Sequence, residues 1–127
     1  MQNHTRIFLA LAAVLLAMAV ALGAIGTHAL VSRLPPGRLA IWHTAVEYHF
    51  YHALGLFAVG FICQLLPQSK KARYSGYALA AGVFLFSGSL YAFALIDAKW
   101  LTTLAPAGGL ALIAGWALLA AALFRDR

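Results

Sequence analysis

Apolar residues run for twenty or more positions at a time, and most polar residues gather in the short intervals between. The first run extends from Ile7 to about Leu30 and holds no charged side chain. A membrane-spanning helix needs about 20 such residues. A secretory signal with Arg6 as its basic flank is the rival, but its apolar region is ordinarily only about 7–15 residues, so a retained first helix is predicted. Val31–Arg38 reads as a connector, because Pro35-Pro36-Gly37 cannot continue a helix. A second helix is predicted over 39–66. Its first half carries His43, Glu47, Tyr48, His49, Tyr51 and His52, and its second half is almost purely apolar. Pro67 and residues 68–73 end it in a basic turn. The third helix is predicted over 74–96, followed by the break Asp97-Ala98-Lys99. The fourth covers 104–124, with Pro106 in its first turn, where the missing N–H costs little. The pattern predicts an all-α membrane protein, an antiparallel four-helix transmembrane bundle forming one four-span domain over residues 1–127.

Composition agrees with that pattern. The chain has 127 residues, 64% hydrophobic and 9% charged, against roughly half and a quarter in soluble domains. The mean hydropathy is +0.87. A soluble domain and a disordered chain are both excluded, and the single cysteine, Cys63, excludes a disulfide scaffold. The net charge of +6 does not read as a nucleic-acid surface, because the basic residues lie near predicted helix ends. They suit contact with the headgroups of the lipid bilayer and set topology. Arg6, Lys70, Lys71, Arg73, Arg125 and Arg127 share one side, and Arg33, Arg38 and Lys99 the other. The excess predicts a multi-pass protein of the bacterial inner membrane with both termini cytoplasmic.

Lipid offers helices no hydrophobic reason to associate, so small residues mark their contacts. Ala19, Gly23 and Thr27 form one such stripe, and Ala107, Ala111 and Gly115 another; Gly108 and Gly109 add small residues at the start of the fourth helix. Trp42 and Trp100 read as interfacial anchors.

The strongest chemical signal is Glu47. A carboxylate within a span costs about 2.5–3.5 kcal/mol at the helix centre, so Glu47 is expected to face the bundle interior with partners. Tyr51 lies one turn away, Tyr48 and His52 lie on an adjoining face, and His49 points elsewhere. His28, Ser87, Ser89 and Tyr91 reach similar depth from the first and third helices. The cluster reads in three ways: a hydrogen-bond network pinning helix register, a proton- or ligand-handling site, or a surface for lipid contact and assembly.

No HExxH, CxxC or CxxCH pattern and no Ser-His-Asp order is present, so neither a metal, a cofactor nor a catalytic residue is assigned. His49 and His52, three apart, are the nearest approach to a ligand pair, but His52 reads better as a satisfied core histidine.

The run Gly23-Ala24-Ile25-Gly26-Thr27-His28-Ala29-Leu30 resembles the first signature of a small membrane family, domain of unknown function 423, the UPF0382-type inner-membrane proteins, whose eukaryotic relatives are called transmembrane protein 256. The likeness continues through Thr44, Glu47-Tyr48, His52-Ala53-Leu54, Phe86-Ser87-Gly88-Ser89-Leu90-Tyr91, Pro106-Ala107-Gly108-Gly109-Leu110 and Ala114-Gly115-Trp116. Ile25 and Thr27 stand where the family carries phenylalanine and alanine, and Ala105 where it carries threonine. The resemblance implies a four-span protein of the bacterial inner membrane and no established activity. It also weights His28, Glu47, Tyr48 and His52 above His43 and His49. A structural, assembly or accessory subunit is therefore the first expectation, within a larger membrane complex or a homo-oligomer. A small-ligand or proton-handling protein is the second.

Overall fold

The computed structural model describes residues 1–126; Arg127, counted among the basic residues above, lies outside them. Four helices follow one another up and down: α1 Asn3–His28, α2 Pro36–Leu65, α3 Lys70–Ile96 and α4 Leu104–Arg125. Each is long and apolar enough to cross a membrane, and no strand occurs among the described residues.

The helix limits follow from local chemistry, and three starts differ from the sequence expectation, α1 beginning at Asn3 rather than Ile7. Pro36 does not interrupt α2 but begins it, with Pro35 as the cap. A proline at the first helical position loses no hydrogen bond and already has a helical φ. The basic stretch Lys70, Lys71 and Arg73 is not a loop but the first turn of α3. Ser69 caps that turn, its hydroxyl oxygen accepting from the Ala72 N–H at 3.1 Å. Asp97 ends α3 in the left-handed region, at φ 53°, a conformation that a short polar side chain tolerates. A 3₁₀ turn, Lys99–Thr103, then leads into α4. Pro106 sits among the first residues of α4, whose N–H groups have no intrahelical partner in any case.

Packing runs mainly between sequence neighbours, most extensively between α3 and α4. The α1 and α4 helices each add one aromatic side chain to a non-neighbour. Phe8 of α1 lies against Gly76 of α3, and Trp116 of α4 against Gly55 of α2. The core holds Phe8, Leu15, Leu56, Val59 and Leu79, all fully buried. Ile7, Val20, Leu110, Ile113 and Phe124 stay exposed on the sides, as lipid-facing positions do and water-facing ones do not.

Gly108 makes the closest helix approach, since a Cβ there would strike the backbone of Phe86 and Leu85. Gly115 is buried against Leu79. A Cβ at Gly109 would make only ordinary contact with Phe86, and one at Gly23 would lie 3.4 Å from Val46. Thr27 is exposed, its hydroxyl donating to the Gly23 carbonyl of its own helix. The buried small residue in its place is Gly26, seated on the Trp42 ring. Ala107 is likewise exposed, so the small-residue face of α4 runs through Gly108 rather than Ala107.

Candidate functional site

The two ends of the bundle differ. Ser69, the N-terminus and Asp126 mark one; the connector 29–35 and Trp100 mark the other. Arg38, at the Trp100 end, donates from Nη1 to the Ala94 carbonyl at 3.3 Å, placing a cation at the negative end of the α3 dipole. At the Ser69 end Asp126 accepts hydrogen bonds from the Ser69 hydroxyl and from Lys71 Nζ, the latter at 2.9 Å. These two donors, Ser69 first, hold the Asp126 carboxyl below its ordinary value of 3.8. The clasp ties the end of α4 to the start of α3.

The polar residues of α2 divide between two opposite faces. Glu47, expected inside, is exposed, together with His43, Thr44, Tyr48 and Tyr51. Among the described residues no hydrogen bond or ion pair reaches the Glu47 carboxylate. With about 100 degrees per residue, Glu47 lies roughly opposite the line of buried residues Ala45, His49, Leu56 and Cys63. This is a correction with a clear cause. The α1 and α3 helices pack on the small-residue side of α2, and only that side allows close approach. His28, at the last turn of α1, is exposed too and joins no polar group.

His49, expected to point away from the site, is 2% exposed and forms the centre of the buried polar layer. Its Nδ1 lies 2.9 Å from the Tyr91 hydroxyl of α3. Among the described residues Tyr91 makes no other hydrogen bond; with its O–H donating to Nδ1, the neutral imidazole carries its hydrogen on Nε2. That Nε2 is buried without a partner. The Leu15 carbonyl of α1 is the acceptor next to the ring, outside ideal hydrogen-bond geometry at Nε2. Beside His49, Ser87 of α3 donates to the Ala45 carbonyl of α2 at 2.8 Å. Trp42, expected as an anchor in the interface, is 3% exposed and donates its indole N–H to the Leu22 carbonyl of α1 at 2.9 Å. Its ring rests edge-on against Tyr91, with centroids 4.7 Å apart. Three interhelical hydrogen bonds thus tie α1, α2 and α3 in one layer.

The other expected site residues are bound more locally. His52 is buried and bonds through Nδ1 to the Tyr48 carbonyl one turn back, at 2.7 Å. Its ring lies between Tyr48 and Trp116. Ser89 donates to the Phe86 carbonyl of its own helix. Tyr48 packs on Phe86, and its hydroxyl has no hydrogen-bond partner among the described residues. His28, Glu47, Tyr48 and Tyr51 therefore do not join His49, Ser87 and Tyr91. Among the described residues no three His, Cys, Asp or Glu side chains gather as a metal site. Three further buried polar atoms lack partners, His4 Nε2, Thr5 Oγ1 and Ser75 Oγ, all toward the Ser69 end.

A small cavity of about 80 Å³ opens beside His49 between α1 and α3. Leu15, Met18 and Leu22 line it from α1, and Val83, Phe84 and Gly88 from α3, with Tyr91 alongside.

Comparison with known proteins adds a family and no chemistry. Residues 22–109 match the family model described as protein of unknown function DUF423. The chain is 40% identical to the UPF0382 membrane protein YwdK of Bacillus subtilis (strain 168), over 92% of this chain and 95% of that protein. It is 38% identical to the UPF0382 membrane protein SH2409 of Staphylococcus haemolyticus (strain JCSC1435), over 94% and 97%. No solved structure matches.

Proposed function

The chain belongs to the family of proteins of unknown function DUF423, an integral membrane protein whose relatives' names carry no activity, and from its geometry we propose that it is a small accessory subunit of a larger membrane assembly. One observation carries this reading: Glu47 lies unpaired on the exposed face of a spanning helix. Lipid contact is certain for the apolar sides of the bundle, but a carboxylate turned to acyl chains is costly, about 2.5–3.5 kcal/mol at the centre and less toward the ends. A partner that brings a donor to Glu47 removes that cost.

The surroundings suit a docking face. His43, Thr44, Glu47, Tyr48 and Tyr51 form one exposed stripe, which continues into the apolar Leu54, Ala58 and Phe61. The stripe lies on the side of α2 turned away from its contacts with α1 and α3. The partner is a membrane helix with a basic or hydrogen-bond-donating side chain at the depth of Glu47. A second copy of the chain fits less well. Two α2 helices packed about a two-fold axis along the membrane normal would set Glu47 against its own copy, and like charges disfavour that contact.

The assembly belongs, on this reading, in the bacterial inner membrane with both termini cytoplasmic. Among the described residues the Ser69 end carries five basic residues, Arg6, Lys70, Lys71, Arg73 and Arg125, and the Trp100 end three, Arg33, Arg38 and Lys99. Photocrosslinking residues placed at Tyr51 and at Ile113, which is exposed on α4, test the docking face. Position 51 should give one discrete crosslinked product, weakened by Glu47→Leu, and position 113 none. A product between two copies of the chain would replace the hetero-assembly by a homo-oligomer. No product at position 51 would overturn the proposal.

A further inference from the structure

At the Ser69 end the first turns of α1 and α3 lie side by side, and their contacts set two groups face to face. Phe8 of α1 packs its ring on Gly76 and edge-on against Tyr77 of α3, with centroids 5.1 Å apart. His4 precedes Phe8 by one turn and Arg73 precedes Tyr77 by one turn, each on the same helix face. The two helices run in the same direction, so one turn nearer the end His4 faces Arg73. The Arg73 guanidinium accordingly acts on the His4 ring. Both side chains are half-buried.

Neither group is satisfied by the chain. His4 Nε2 is enclosed without a partner. Among the described residues the Arg73 side chain makes no hydrogen bond or ion pair, whereas Arg38 at the other end donates to the Ala94 carbonyl. The helix start adds charge of the same sign. The first turn of α1 has neither a side-chain cap nor an acidic residue, so its free N–H groups leave a positive dipole end beside His4 and Arg73. At the start of α3 the corresponding place is filled by the Ser69 cap and Asp126. The chain has only three acidic side chains: Glu47 lies well inside α2, Asp97 at the other end and Asp126 in the clasp. A guanidinium beside an imidazole and a helix N-terminus, with no carboxylate near, is an arrangement that an anion stabilises.

Depth names the anion. The 27 residues of α3 make a helix about 40 Å long, close to the roughly 40–45 Å of a bilayer with its headgroup layers. His4 is the second residue of α1 and Arg73 the fourth of α3, about 2–5 Å from the helix ends at about 1.5 Å per residue. Each headgroup layer is about 5–7 Å thick, so the pair stands at the level of lipid phosphates. Tyr77 is 54% exposed, and the gap between α1 and α3 opens past it to the lipid side. We propose that His4 and Arg73 bind the phosphate of an anionic phospholipid in the leaflet at the Ser69 end. The guanidinium fork takes two phosphate oxygens, and the His4 ring donates to the phosphate through Nε2. The site lies on α1 and α3, away from the Glu47 stripe, and is independent of the docking face.

The full chain, delipidated in detergent, is titrated with dioleoyl phosphatidylglycerol, dioleoyl phosphatidylcholine, dioleoylglycerol and inorganic phosphate. Bound lipid is counted by native mass spectrometry, and the ¹⁵N resonances of the His4 ring are followed. Phosphatidylglycerol should bind about tenfold tighter than phosphatidylcholine, as a charge-assisted contact provides, and should move the His4 resonances. Dioleoylglycerol, which has no phosphate, should leave them in place. Arg73→Gln should weaken phosphatidylglycerol binding about tenfold. Arg73→Lys keeps the charge but loses the fork, and should weaken it about threefold; this variant keeps the test decisive where Arg73→Gln fails to fold. Lys70→Gln, an exposed charge in the same turn, should weaken it least, and Glu47→Leu not at all. Equal losses from Arg73→Gln and Lys70→Gln would reduce the effect to surface charge and overturn the proposal. So would phosphatidylcholine bound as tightly as phosphatidylglycerol, inorganic phosphate that moves the His4 resonances at the same concentration, or His4 resonances that ignore phosphatidylglycerol.

Discussion

Tyr91 holds His49 by a hydrogen bond at Nδ1. Tyr91→Phe keeps the ring packing against Trp42 and leaves Nδ1 without its partner. An unsatisfied buried polar group costs about 1–3 kcal/mol, so unfolding in mixed micelles should show a loss of that size. Phe93→Tyr, on the same helix but outside the layer, provides the comparison with a hydroxyl gained elsewhere. The Asp126 clasp has a different signature. Its carboxyl is held below the ordinary value in the folded chain, so its contribution is present above pH 3.8 and disappears as pH falls through the lower folded value. Thermal stability of the wild type should drop on acidification below that point more than that of Asp126→Asn. The difference will be small, since Lys71 is 41% exposed and exposed pairs contribute little.

The α3–α4 contact decides stability at the level of helices. Gly108→Ala must push the Phe86 backbone away, whereas Gly109→Ala adds a methyl beside a ring 3.8 Å distant. The first should cost about 1–3 kcal/mol, typical of overpacking, and the second close to nothing, both read from unfolding in detergent. Gly115→Leu, pressed on Leu79, should resemble Gly108→Ala. The helices themselves were legible in the sequence because twenty-residue apolar runs admit no other element in a membrane. The rotation of α2 was not legible from its charge. The rule that an intramembrane carboxylate faces inward supposes a complete molecule, and Glu47 faces outward from a single chain. The buried face did leave a signal in the small and apolar residues Ala45, Ala53, Leu56, Gly60 and Cys63, spaced by three or four or, between the first two, by two fours. His49 falls on that line and Glu47 off it. Pro36 misled in the same local way, since a proline that ends one helix also begins another well.

For the whole molecule, the up-and-down order places the N-terminus, the Ser69 turn and Asp126 at one end. Reporter fusions after Asp126 and within residues 33–37 should give opposite signals, with the C-terminal reporter cytoplasmic; the reverse would overturn the orientation. The bundle leaves two unlike features on opposite sides of α2, a polar stripe around Glu47 and an apolar groove ending at His49. The account rests most heavily on the stripe. Its most direct test is the composition of the particle when wild-type and Glu47→Leu chains are taken from the membrane into native bilayer discs without detergent. The wild type should carry one other membrane protein at fixed stoichiometry. Glu47→Leu should lower that occupancy about tenfold, a loss of about 1.4 kcal/mol. A wild-type chain alone in its disc, or a partner retained equally by Glu47→Leu, would contradict the account.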